Sequence, residues 1–283
     1  MKKLLAILMA MAMVMTILAG CAKKNETESQ SENQTESQSQ DTESEKEADQ
    51  TDSEYVIEKG KLVVGITDFA PMDYQEDGKW VGFDAELSEA FAKELGVACE
   101  FIEIEWDSKT MELDNKNIDC VWNGMTLTDG VKAAMETSKP YLNNAQIIVV
   151  KKDKADSIKT AEDAKALKFA VEGGSAGEEA AKANEFEYTA VGTQADAVME
   201  VSAGTAEACI IDSLMAAAMV GEGTDYPDLA YTVGLTEEEY GVGFRKGSDL
   251  AAKLNDFFKK AYDDGTLLAI AEKYGTQASL IEQ

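Results

Sequence analysis

The chain has 283 residues, enough for two core-bearing units at roughly 100–200 residues per domain. Its 26 Lys and Arg stand against 54 Asp and Glu, a formal charge of −28, which argues against nucleic acid as a partner because phosphate binding needs basic patches. There is no histidine, so a His-based zinc site and a Ser-His-Asp triad are excluded.

The first 20 residues carry Lys2 and Lys3, an apolar run from Leu4 to Ala19, and then Cys21. The run falls short of the ~20 residues of a membrane span and fits a secretory signal. Its end, "LAGC", resembles the lipobox of bacterial lipoproteins, which implies cleavage before Cys21 and a lipid on its sulfur. An ordinary signal peptide with an incidental cysteine is the alternative. Residues 22–54 are rich in Ser, Glu, Gln and Thr, with no aromatic and no aliphatic side chain larger than Ala. Such a segment cannot bury enough apolar surface to offset chain entropy, so a disordered acidic tether is expected over 21–54.

The folded part is expected from Tyr55. "KLVVGIT" reads as a buried strand. "GFDAELSEAFAKELG" reads as a helix, with Leu87, Ala90, Phe91 and Leu95 on one face and Gly96 as its stop. "ACEFIEIEW" is a second strand, "KTMELDNKN" a short helix and "IDCVWNGMT" a third strand. This alternation predicts right-handed βαβ units on a parallel sheet. "NNAQIIVVKKD" is a long extended segment. A second series follows: strand "LKFAVEGG", helix "SAGEEAAKANEF", strand "EYTAV", helix "TQADAVMEVSAG", strand "EACIID" and helix "SLMAAAMVGEG". A further extended run, "EYGVGFRKG", precedes two amphipathic helices, "SDLAAKLNDFFKKAYDDG" and "LLAIAEKYG". The chain is therefore an α/β protein of two units joined by two extended crossings, with a ligand cleft at the strand C-terminal ends. Cys120 and Cys209 lie in apolar strand patterns and read as small buried hydrophobes, and three cysteines after Cys21 do not make a disulfide framework.

These stretches, in this order over residues 55–275, resemble the solute-binding proteins of bacterial polar amino-acid ABC transporters. The resemblance implies a two-lobed periplasmic-binding-protein fold of type II. Lobe 1 would comprise residues 55–145 and 240–283, lobe 2 residues 146–239, with hinges at about 145–151 and 240–244. It also implies site residues. Phe69 and Trp106 would be aromatic walls. Asn123, Gly124 and Thr126, in the loop "WNGMTLTDG", would meet the ligand's ammonium and carboxylate; a plain helix cap is the alternative for Thr126. Asp212 would hold the ammonium, a helix cap being its alternative. Ser175, in the Gly-rich "VEGGSAGEE", would donate to a carboxylate. As a phosphate loop that stretch is weak, having neither Lys nor P-loop spacing.

Asp68 and Glu172 join Asp212 in an expected acidic cleft, though a solvated surface charge is the alternative for Glu172. Tyr240, on the return crossing, is a further candidate. One departure stands out: where the family places an Arg for the α-carboxylate, this chain has Val131. The bidentate grip is lost, and Lys109 is the candidate substitute. The expectation is a lipid-anchored, extracytoplasmic, monomeric binding protein for an amino acid or amine-bearing polar solute, without catalytic residues, cofactor or metal. Its partners would be an ABC permease and its ATPase. The alternatives are a non-transport ligand receptor and an enzyme resembling cyclohexadienyl dehydratase, for which Glu172 is the one candidate acid.

Overall fold

The computed structural model describes residues 50–283. The expected leader, Cys21 and the tether up to residue 49 lie outside the described residues. The tether does not run to residue 54. Helix α1, Asp52–Lys59, begins there, closed by a capping box in which Thr51 and Glu54 satisfy each other's backbone N–H groups. The Ser53 hydroxyl and N–H both bond Asp249, 2.5 and 2.9 Å away, and Arg245 Nε reaches Asp52 at 3.0 Å. "TDSE" thus carries a helix start inside an otherwise featureless polar run.

In lobe 1, β1 (Lys61–Ile66) pairs in parallel with β4 (Ala98–Glu103) on one side and β5 (Cys120–Thr126) on the other. β1 and β5 are buried along almost their whole length, as strands covered on both faces must be. Helix α2, Phe83–Leu95, packs Phe83, Leu87 and Phe91 inward and stops at Gly96 in the left-handed region, φ 79°. Before it lies a hairpin, β2 (Tyr74–Glu76) and β3 (Lys79–Val81), turned by Asp77 and Gly78 at φ 52° and 74°. The Asp-Gly pair is the signal for this turn, yet the strands are too short to read as a pattern. Helices α3 (Lys109–Asp114) and α4 (Asp129–Ala134) flank β5, and β6 is the two-residue Glu136–Thr137.

The chain leaves lobe 1 along β7, Leu142–Lys151, and returns along β11, Leu229–Phe244. Between them come β8 (Lys168–Glu172), α5 (Ala176–Ala183), β9 (Glu187–Val191), α6 (Gln194–Ala203), β10 (Ala208–Asp212) and α7 (Ser213–Met219), which make lobe 2. The whole sheet runs β4-β1-β5-β11-β7-β10-β8-β9, with β6 beside β11. β7 and β11 pair antiparallel from Leu142–Tyr240 onward. From Gln146, β7 also pairs with β10; from Tyr240, β11 pairs with β5. The crossings therefore fall at residues 142–145 and 236–239. They lie just ahead of the expected hinge segments 145–151 and 240–244, which are already sheet strands of their lobes. β11 also starts eleven residues before Tyr240. Its early part escapes a sequence reading because Gly234 and two register shifts break its alternation.

The last two helices, α8 (Leu250–Asp263) and α9 (Thr266–Tyr274), fold back on lobe 1. Leu250, Leu254, Phe257, Phe258 and Ala261 form the buried face of α8. Phe258 meets Trp122 edge-on at 5.6 Å, and Phe257 meets Phe91 at 5.6 Å. Lobe 2 has a core patch around Phe169 and Phe186, stacked at 4.5 Å. Cys120 and Cys209 are fully buried thiols, and Cys99, Cys120 and Cys209 are all free.

Asp119, fully buried before β5, accepts from Lys59 Nζ at 2.7 Å, Val63 N at 2.7 Å and Arg245 Nη2 at 3.4 Å. It ties α1, β1 and the end of β11 together. Asp119→Ala is expected to cost about 3 kcal/mol, because removing one partner leaves the cations and the N–H uncompensated. Urea unfolding should show a lower midpoint with an unchanged slope.

Candidate functional site

A cleft opens at the C-terminal ends of strands from both lobes, with about 700 Å³ of empty space including its mouth. Lobe 1 supplies Phe69 after β1, Trp106 after β4, Lys109 and Thr110 from α3, residues 123–126 of β5, and Val131 of α4. Lobe 2 supplies Glu172 at the end of β8, Gly174 and Ser175 before α5, Glu179, Gln194 at the start of α6, and Asp212 at the end of β10. β8 and β10 are parallel neighbours in register Cys209–Ala170, which puts Glu172 level with Ile211, one residue short of Asp212, at the ends of the two strands.

Both residues expected as aromatic walls line the cleft. Trp106 lines the cleft, with the Lys109 ammonium 4.9 Å from its ring. Phe69 lines it too, edge-on to Tyr240 at 6.3 Å. Tyr240 itself does not line the cleft. It is buried beneath Gly124, whose added Cβ would lie 2.6 Å from Phe69 and 3.1 Å from Tyr240. Only a glycine, here at φ 53°, lets β5 run this close over the two rings.

Asp68 is not in the cleft. The strand alternation after β1 turns Thr67 and Phe69 inward and leaves Asp68 exposed at the rim. Partial burial and the nearby Asp196 raise its pKa. Asn123 lines the cleft, but its side chain is committed to lobe 1. Its Oδ1 accepts from Thr67 N and Oγ1, and its Nδ2 donates to Thr67 O and to Asp73 at 2.7 Å. Behind it Asp84 accepts from Gly124 N at 2.6 Å and from the Tyr141 hydroxyl at 2.8 Å. Burial pushes the Asp84 carboxyl up to about 6, opposed by these donors. Two buried carboxylates thus hold this stretch from below, Asp73 through the Asn123 side chain and Asp84 through the Gly124 N–H.

Thr126 is not a helix cap. Thr128 caps α4, accepting from Val131 N at 3.2 Å, while Thr126 Oγ1 donates to Glu238 at 2.8 Å. Ser175 is the cap of α5: it accepts from Glu178 N at 3.1 Å and donates to Glu172 O at 2.7 Å. Its hydroxyl proton is therefore used within lobe 2, and the expected donation to a ligand carboxylate is not available from it in this geometry.

The charged residues are more deeply set than a surface reading allows. Lys109 is 8% exposed and donates to Trp106 O at 3.1 Å and Gly174 O at 2.9 Å. An ammonium has three donors, so one is left for the cleft it lines. Burial lowers its pKa, opposed chiefly by Glu172. Glu172 is 2% exposed and its Oε1 has no partner. Burial pushes its carboxyl up to about 8, opposed by the Lys109 ammonium. It is not a solvated surface charge.

Asp212 is 3% exposed, and its side chain makes no cap for α7. It accepts instead from Gln146 Nε2 at 2.8 Å, Asn144 Nδ2 and Gln194 Nε2, and its own N–H donates to Gln194 Oε1 at 2.8 Å. Burial and the neighbouring Glu238 raise its pKa well above the usual carboxylate range.

Gln194, Glu179, Glu238, Asn144 and Gln146 were not legible as site residues. The signal that could have found Asn144 and Gln146 is two polar side chains at alternate positions, on the same strand face as Leu142, Ile148 and Val150. Nothing in "TEEEY" distinguishes Glu238 from its neighbours until β11 is paired. Val131 lines the cleft, so the missing Arg leaves an apolar patch there. Beyond Thr126, Thr128 and Glu179 the cleft continues into a wider groove of about 1350 Å³, bordered by Asp129, Lys132 and residues 237–239.

The lobes are closed in this structure. Lys109 bonds Gly174 across the cleft, and a Cβ at Gly174 would lie 2.7 Å from Asp107 Cα. Gly174 also sits at φ 71°. Gly174→Ala is expected to raise the free energy of this closed form by ~1–3 kcal/mol from the left-handed backbone alone, with the clash in addition. Small-angle scattering should then show a larger radius of gyration. An unchanged radius would mean that the Asp107 contact does not limit closure.

The profile of the bacterial extracellular solute-binding proteins, family 3, matches residues 62–277. The L-cystine-binding protein TcyJ of Escherichia coli (strain K12) is 35% identical over 234 residues, 80% of this chain and 87% of that protein. The arginine-binding extracellular protein ArtP of Bacillus subtilis (strain 168) is 31% identical over 224 residues, 77% of this chain and 87% of that protein. Among solved structures, the ancestral amino acid-binding protein AncCDT-1, described as a precursor of cyclohexadienyl dehydratase, superposes with a TM-score of 0.72 at 34% identity. That match covers 78% of this chain and 98% of the ancestral one. The two lobes and two hinge strands are those of a type II periplasmic-binding-protein fold.

Proposed function

Because this chain belongs to the family 3 bacterial extracellular solute-binding proteins, we propose that it captures a small amine-bearing polar solute, an amino acid or a close relative, and presents it to an ABC importer. The observation that carries the reading is Asp212, a buried carboxylate at a strand end in a cleft closed by both lobes. A buried charge of this kind is the natural partner of an ammonium. The relatives' names, for cystine and for arginine, point to the same solute class.

The lobes, 55–145 with 240–283 and 146–239, act as a clamp with α1 added to the first. A solute touching both lobes favours the closed form over the open one. At the other end of the solute, Lys109 and the free N–H groups at the start of α5 meet a carboxylate in place of the absent Arg. Phe69 and Trp106 cover its apolar part. The acidic groove beyond Thr126 leaves room for a longer solute with a second basic group. Outside the membrane the chain is held by a lipid on Cys21 and spaced from the surface by its acidic tether, as a monomer that docks on permease and ATPase partners.

A thermal-shift screen of amino acids, amines and betaines tests this. A solute present at about 100 times its Kd stabilises by ~2.7 kcal/mol, a rise of several degrees. A flat screen would remove the transport reading. Asp212→Ala should cost the best binder ~2 kcal/mol or more by calorimetry.

One observation favours a second reading, an elimination enzyme like the one AncCDT-1 precedes. Glu172 is a buried carboxyl with a free oxygen and a pKa of about 8, which is what a general acid requires. Turnover of a cyclohexadienyl acid, abolished in Glu172→Gln, would establish it; binding without turnover would leave the transport reading alone.

A further inference from the structure

Asp212 does not stand alone. Glu238, on the hinge strand β11, shares its donors. Asn144 Nδ2 donates to both carboxylates, at 2.6 Å to Glu238, and Gln146 Nε2 donates to both at 2.8 Å. Glu238 also accepts from Thr126 at 2.8 Å, and Asp212 from Gln194. Among the described residues, every hydrogen bond these two side chains receive comes from a neutral amide or hydroxyl. Tyr240 of the same strand acts on Asp212, and Glu172 from β8, Lys109 from α3 and Glu179 from α5 line the same cleft as Asp212. The one cation of the set, Lys109, is bound to the carbonyls of Trp106 and Gly174. A second buried acid in the same cleft, Glu172, has an oxygen with no partner. Glu238 is half-buried and borders the wider groove, whereas Asp212 is buried, and a buried carboxylate beside a second carboxylate, with no cation bonded to either, favours holding a proton.

We propose that Asp212 and Glu238 together form a two-carboxylate seat for the solute's ammonium, in which Asp212 holds a proton while the seat is vacant and releases it when the solute binds. The proposal rests on the reading of the cleft as an ammonium-binding solute site. The charges balance: a solute R–NH3+ and a seat of one carboxyl and one carboxylate become R–NH3+ on two carboxylates, plus one H+ in solution. No covalent bond changes other than the O–H that is lost. Because Glu238 lies at the crossing between lobes and also bonds Thr126, this seat includes the hinge strand itself. The raised pKa of Asp212, caused by burial and by Glu238, agrees with a proton held in the vacant pair. The sign of the linkage follows. The vacant site binds the proton and the occupied site does not, so affinity rises with pH until the vacant pair ionises on its own, and is flat above that.

The test is titration calorimetry of the full chain at pH 6 with L-arginine, L-cystine and L-histidine as probes, in buffers of different ionisation enthalpy. The heat should vary linearly with buffer enthalpy, with a slope of about one proton released per solute, and the association constant should climb about tenfold per pH unit below the ionisation of the pair. In Glu238→Gln, which keeps an acceptor for the same amides, the release should vanish and the pH dependence flatten. Glu172→Gln should retain the release whatever it does to affinity. Binding with no proton exchange in the unaltered chain overturns the proposal, as does release that survives Glu238→Gln and disappears in Glu172→Gln. If no probe binds at all, the ammonium-site reading falls, and this proposal with it.

Discussion

The antiparallel ladder between β7 and β11 is what both lobes hang from. Each strand begins in one lobe's sheet and ends in the other's, and they pair with each other across the gap. Two backbone segments joined by hydrogen bonds can flex about their crossing but cannot slide, since sliding by one residue would turn every buried side chain outward. The position of the cleft follows from this. The strand ends of both lobes meet on the same side of the ladder: Glu172 and Asp212 are the last residues of β8 and β10, Trp106 follows β4, and Gly124 lies two residues before the end of β5.

Electrostatics sets the character of that cleft. A chain with a surplus of acids can keep nearly all of them in water at little cost. Here five of the described ones are kept out of it: Asp73 and Asp84 under residues 123–126, Asp119 ahead of β5, and Glu172 and Asp212 in the cleft. The first two hold the Asn123 side chain and the Gly124 N–H, so they fix residues 123–124 in place. The last two lie where a solute would be. Burying a carboxylate is unfavourable unless donors or a cation compensate it. Asp212 has amide donors and a shared neighbour, while Glu172 has an oxygen left over. These buried carboxylates are the ground for proposing a solute that carries positive charge.

Much of the fold was legible because the apolar patterns have the right periods. α2 and α8 show helical spacing that ends at a glycine or an acidic turn, and β1 and β5 show unbroken apolar runs that require cover on both faces. What failed were elements too short or too irregular to have a period. The hairpin at residues 74–81, the first half of β11, and α1 inside a polar tract are of this kind. In the site, the family resemblance named Phe69, Trp106, Gly124 and Asp212, and all four line the cleft, as does Glu172. Asp68 was misplaced by one residue of alternation. Ser175 was misread because the same hydroxyl that could meet a ligand is also the one that caps a helix.

By itself the sequence determined the α/β class, the two units, the polar N-terminal stretch and the absence of the arginine at Val131, since composition, periodicity and motif order are local properties of the chain. Only the tertiary structure decided which charges are buried, which hydroxyls are already bonded, and that Glu238 lies beside Asp212. Those two residues are 26 positions apart and meet because β7 carries Asn144 and Gln146 between β10 and β11. Pairing across a sheet is a property of three strands at once, and no single stretch of sequence contains it.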